Sequence, residues 1–157
     1  MEAHKIYTII DSKKYLRKNY VHGVSCPSCG QLVKLYKRKL NSGMARVLVE
    51  LYLNKDNGAM HVKEYLRTNK LKNNHDWTLL SYWGLITTVV EDINRSKESG
   101  YWNITLKGIQ FVEDKINVHK HVLIYNKRFT GFSPDYISIY EALGDHFDYK
   151  ELMNLTV

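Results

Sequence analysis

Trp83-Gly84-Leu85-Ile86-Thr87-Thr88-Val89-Val90 begins with a glycine stop and continues as a β-branched, strand-like run. A polar, turn-rich stretch follows, Asn94-Arg95-Ser96-Lys97-Glu98-Ser99-Gly100, and then a return strand, Tyr101-Trp102-Asn103-Ile104. Thr105 stands where an N-cap belongs, with Ile109, Val112 and Ile116 on one face of the helix it opens. Upstream, three helices are expected. The first starts at Ser42 and carries Met44, Val47, Leu48, Leu51 and Tyr52 at three- and four-residue steps. It stops at Asn54-Lys55-Asp56-Asn57-Gly58. The second spans residues 59–68, with Val62, Tyr65 and Leu66 on one face. The third is capped by Asp76 and buries Trp77, Leu80 and Trp83.

Three helices, a strand, a polar loop and a strand is the order of a winged helix-turn-helix, so the expected class is α+β with a winged helix-turn-helix core. The resemblance is carried by Trp83-Gly84-Leu85-Ile86, which looks like the exit from a recognition helix into a wing. It is also carried by Gly100-Tyr101-Trp102-Asn103-Ile104-Thr105-Leu106-Lys107-Gly108, which looks like the second wing strand running into a helix. Regulators of the MarR and PadR type end their wing in a similar Leu-Thr-x-x-Gly manner, whereas here the order is Thr105-Leu106-Lys107-Gly108. The alternative is another small α+β fold with one hairpin.

The chain is expected to divide into a basic N-terminal segment (1–39), this core (40–116) and a C-terminal hairpin and helix packed on the core (117–157). The hairpin is read at residues 121–132 with Asn126-Lys127 near its turn. A short helix is read at residues 136–143 and a further helical stretch at 147–153.

At 157 residues, with 44% hydrophobic and 25% charged, the chain suits one globular domain with appendages. No apolar run approaches the ~18 residues a membrane helix needs, and residues 1–11 lack a signal core. The expectation is a soluble cytoplasmic protein with no membrane partner. Two cysteines cannot make a disulfide framework. Net charge is +7, and it is concentrated: residues 1–46 hold ten Lys/Arg against two acids, whereas residues 47–157 sum to −1. A localised basic segment points to a polyanion, most often nucleic acid, against the plainer reading of a solvated surface.

Within that segment, Lys34, Lys37, Arg38 and Lys39 are candidate phosphate contacts, with Tyr36 among them. The alternative is an edge strand guarded by lysines. Lys70, Lys72, Asn73, Asn74, Thr78 and Ser81 lie on or before the third helix as candidate groove readers, and Arg95 and Lys97 lie in the wing. Residues 70–84 and 93–102 each carry a net charge of only +1, which keeps a protein partner in play.

Cys26-Pro27-Ser28-Cys29-Gly30 has the shape of half a zinc knuckle: two thiolates two residues apart, with a glycine to relieve the turn. A structural zinc needs four ligands. His22, four residues before Cys26, and the alternating pair His119 and His121 are the candidates for the others, with His4 also near, or a second subunit gives two more thiolates. The alternative is a degenerate knuckle of ordinary thiols. No phosphate loop, nucleophile elbow or His-Glu-x-x-His occurs, and Glu91-Asp92 and Glu113-Asp114 are adjacent residues that point apart, so no enzyme is expected.

Cys26-Pro27-Ser28-Cys29-Gly30, the run from Lys34 to Ala45, Tyr82-Trp83-Gly84-Leu85-Ile86, Tyr125-Asn126, Glu141-Ala142-Leu143-Gly144 and the run from Phe147 to Met153 together resemble a family of uncharacterised phage and prophage proteins, across residues 24–153. Val118-His119-Lys120 departs from a Val-Pro-Lys in that pattern. The resemblance implies a phage origin and action inside a bacterial host cell. The expected function is DNA binding, as a transcription regulator and in the form of a possible homodimer. The alternative is binding to a host protein, a polymerase or a defence factor.

Overall fold

The computed structural model describes residues 8–89 and 100–154. The class is mixed α+β, with short helices and small antiparallel sheets. The chain folds as two compact units. One comprises the residues up to Arg38 together with Leu123–Gly131; the other comprises Lys39–Val122 together with the chain from Phe132 onward.

The first unit opens with helix α1 (Ile9–Asn19). Thr8 and Asp11 form a reciprocal capping box, each satisfying the other's otherwise unpaired backbone N–H. The sequence reading missed this helix because Ile9 and Ile10 are exposed and form no apolar stripe; Thr8-x-x-Asp11 was the available signal. Strands β1 (Val24–Ser25) and β2 (Leu32–Val33) pair antiparallel around the Cys-Pro-Ser-Cys-Gly turn. Strand β3 (Tyr36–Lys39) is exposed along its whole length.

The second unit holds the core. Helix α2 (Ser42–Leu53) is central. Its N-cap is Asn41 rather than Ser42: the Asn41 amide oxygen accepts from the Met44 N–H at 2.9 Å. Met44, Val47, Leu48 and Leu51 are buried as their spacing predicts. The expected helix over 59–68 divides into strand β4 (Met60–His61) and helix α3 (Val62–Thr68), because the His61 ring caps α3 by accepting from the Glu64 N–H.

The expected third helix is a 3-10 helix, Asp76–Ser81, entered through His75 in the left-handed region at φ 62°. Trp77, Leu80 and Trp83 recur at steps of three. That spacing lines up at three residues per turn but drifts around an α-helix. All three are buried.

Strands β5 (Ile86–Thr88) and β6 (Tyr101–Ile104) follow, and β6 lies between β4 and β5, antiparallel to both. Helix α4 (Leu106–Val112) is capped by Thr105, as expected. It presses Gly108 against the chain so closely that a Cβ there would sit 2.3 Å from the Leu85 carbonyl oxygen. Strand β7 (Val118–His119) leads to the hairpin of β8 (His121–Tyr125) and β9 (Arg128–Phe132). Its two turn residues, Asn126 and Lys127, are both left-handed, the geometry that matches strand twist.

The expected helix over 136–143 is shorter. Strand β10 (Tyr136–Ile137) pairs with β7, and Ser138 then caps α5 (Ile139–Leu143). Helix α6 (Tyr149–Leu152) is the last described element.

Candidate functional site

The charge follows the division into units. The stretches 1–38 and 123–131 carry ten Lys/Arg against two acids, a net of +8, and the rest of the chain carries −1. Four of these cations sit on α1. Lys13, Lys14, Arg17 and Lys18 are all exposed, and at 100° per residue they span one arc of the helix. Lys13 and Arg17, and likewise Lys14 and Lys18, are like charges one turn apart, an arrangement that costs a helix a few tenths of a kcal/mol per pair. In the sequence these residues register only as net charge, because without the helix they share no common face.

Lys34, Lys37, Arg38 and Lys39 are exposed as expected. The Lys34 stem lies over Gly23, and its ammonium sits 5.9 Å from the centre of the Tyr36 ring. β3 is at one end of the strand order β3-β8-β9, so the edge-strand reading and the phosphate-contact reading describe the same residues.

The candidate groove readers are differently placed. Lys70 and Lys72 are exposed, Lys70 at a left-handed φ of 55°. The Asn73 amide oxygen accepts from the Trp77 indole N–H at 3.2 Å and from the His75 N–H at 3.0 Å, so it serves the turn. The Asn74 amide packs beside Gly43. The Thr78 hydroxyl donates to the His75 carbonyl and the Ser81 hydroxyl to the Thr78 carbonyl. Arg95 and Lys97 lie outside the described residues.

In the knuckle, the Cys26 N–H donates to the Gln31 carbonyl and the Gly30 N–H to the Cys26 carbonyl, each at 2.8 Å. Gly30 takes φ 74°, a left-handed value that a glycine reaches without strain. The backbone N–H groups of Cys29 and then Ser28 point at the Cys26 sulfur and hold its thiol below the ordinary cysteine range, against a smaller opposing effect of burial. Ser28 hydrogen-bonds Ser12, which ties the turn to α1.

Of the candidate histidines, His22 is exposed. His119 is stacked between Phe132 and Tyr136, with ring centres 4.5 and 4.4 Å away. Its Nδ1 lies 2.7 Å from the Ser133 carbonyl oxygen, which can only accept, so Nδ1 carries the hydrogen. The His121 Nδ1 lies 3.6 Å from Asp135 and 3.3 Å from the Ser133 hydroxyl. The Ser133 hydroxyl in turn holds the Asp135 carboxyl below its usual range. Among the described residues, no three His, Cys, Asp or Glu side chains gather where they could hold one metal ion. No described helix is long and apolar enough to cross a membrane. No family model, curated protein or solved structure matches the chain.

Proposed function

We propose that this protein binds duplex DNA chiefly through the phosphate backbone, using the basic unit, with a winged-helix unit as its scaffold. The observation that carries the reading is the +8 charge of the smaller unit, with four cations on one face of α1 and three more at Lys34, Lys37 and Arg38, followed in sequence by Lys39 of the larger unit. The winged-helix assignment is supported by the order α2, β4, α3, 3-10 helix, β5, β6, with β6 between β4 and β5. Thr78, Ser81 and Asn73 have local partners, which favours contacts that position the protein over contacts that read bases. The same feature supports the second reading, a host protein as partner, in which the near-neutral unit is the recognition surface.

Titration of random-sequence duplex at several salt concentrations tests this. Affinity is expected to fall steeply with salt. Alanine at Lys13, Lys14, Arg17 and Lys18 together is expected to flatten the log–log slope by up to about 3–4, at ~0.9 per lost phosphate contact, equally for every sequence. Alanine at Lys34, Lys37, Arg38 and Lys39 is expected to act in the same way. Binding that ignores salt, or survives both sets of changes, overturns the reading.

A further inference from the structure

The smaller unit has almost no core. Among the described residues, every buried apolar side chain belongs to the larger unit, and the smaller unit buries only Ser12. It exposes Ile9, Ile10, Val21 and Leu32 at 50–72%. Units of this size without a core are ordinarily held by disulfides, a metal or a second subunit. The chain has two cysteines, and both lie in one turn of this unit.

That turn presents two free thiols two residues apart, half the ligand set of a tetrahedral metal site. The hairpin bonds of β1 and β2 fix the two ends, and Gly30 makes the reversal. Cys29 is exposed and Cys26 half-exposed, so both sulfurs are accessible from outside the chain. A closed structural zinc site requires four ligands in a tetrahedron. No third side chain of ligating type joins the pair among the described residues.

We infer that Cys26 and Cys29 of two copies of this chain together bind one zinc ion, closing a four-thiolate site that neither copy holds alone. Each thiol gives up its proton to solvent on binding, and no oxidation occurs. Leu32, paired with Ser25 next to Cys26, is 62% exposed, an apolar side chain beside the shared ion that a second copy would have reason to cover. Because Ser28 of the turn is bonded to Ser12 of α1, the shared ion would also present two cationic helices together. Two linked sites bind one polyanion far more tightly than either alone. The metal site does not depend on the DNA reading and is tested without nucleic acid.

The test uses the full chain, purified with reduced thiols and no chelator. Metal analysis and light scattering are expected to give one zinc per two chains and a dimer, which a strong chelator converts to monomer. Cys29→Ser is expected to bind no zinc and to run as a monomer with the main thermal transition retained. Cobalt substitution of the unaltered chain guards against misfolding of the variant. It is expected to show the intense sulfur-to-metal absorption of four thiolates and tetrahedral d–d bands. One zinc per chain in a monomer overturns the proposal, as does a dimer indifferent to chelator. A cobalt spectrum of only two thiolates, or no binding of either metal to reduced protein, also overturns it.

Discussion

The larger unit buries Leu48, Val49, Leu80, Trp83, Leu85 and Phe111 at 2% exposure or less around α2, and its charges nearly cancel. The smaller unit, with under a third of the chain, holds ten of the 23 Lys/Arg and no buried apolar side chain among its described residues. Core and charge are thus divided between different parts of one molecule. A surface that must meet a polyanion keeps its cations apart from acids, and a net charge of +8 opposes compaction through self-repulsion. The stability of such a surface has to come from local hydrogen bonds, from a neighbouring scaffold or from a bound ion. The Thr8–Asp11 capping box, the β1–β2 hairpin and the cysteine turn are the local elements present.

The most forceful way to break this comparison is to damage the core and ask whether the larger unit fails. Trp83 is 1% exposed, and its indole N–H donates to the His119 carbonyl at 2.6 Å. Trp83→Ala is expected to cost about 3–5 kcal/mol, as for other large aromatic truncations. For a chain of this size that is a fall of roughly 6–20 °C in the main thermal transition, read by calorimetry. An unchanged transition would mean that the core lies elsewhere.

The core was also the more legible part of the molecule. Met44, Val47, Leu48 and Leu51 show a helical period and Thr105 a cap, and each signal lies within a few residues of sequence. Trp77, Leu80 and Trp83 point to the correct buried face, and their steps of three are the signal of the 3-10 helix that the expected third helix turns out to be. β4 and β10 are two residues long, too short for any alternation to register, and both exist only through partners distant in sequence. At the candidate site, the cations of residues 34–39 were legible as a cluster, and the cysteine pair as half a metal site. The α1 face was not, because a helix with no apolar stripe announces itself only through its cap. The local bonds of Asn73, Thr78 and Ser81 were likewise hidden, since composition cannot tell a side chain that faces a groove from one that closes a turn.

Alkaline pH sharpens the comparison. Tyr52, Tyr65 and Tyr149, all in the larger unit, have their phenol pKa raised, in each case first by burial. Glu113 adds to the effect at Tyr52 and Glu50 at Tyr65, where the phenol donates to the carboxylate at 2.6 Å; the Tyr149 phenol donates to the Val112 carbonyl at 2.7 Å. A raised folded-state pKa means that the folded protein keeps protons the unfolded chain releases above about pH 10. The stabilisation is complete below that value and is lost as pH rises through the folded-state pKa. The melting temperature is expected to fall as pH rises above about 10, and changing all three tyrosines to Phe is expected to flatten that fall. A triple variant with an unaltered pH slope would place the alkaline sensitivity elsewhere.

The smallest expected change in stability carries the most information about the basic unit. Lys13→Glu with Lys14→Glu places carboxylates one turn before Arg17 and Lys18, the favourable orientation for pairs along a helix. Two repulsive pairs become two attractive ones, each change worth a few tenths of a kcal/mol, so α1 is expected to gain at most about 1 kcal/mol. Amide hydrogen exchange over Ile9–Asn19 reads that gain directly, as slower exchange. If α1 is merely a solvated face, the variant is more protected and nothing else changes. If its cations meet phosphates, the same variant is more protected and yet loses affinity for duplex DNA. It loses more than the two phosphate contacts account for, because the new carboxylates repel the backbone. Stability and binding moving in opposite directions is the signature that separates a helix kept cationic for a partner from one whose charges are incidental.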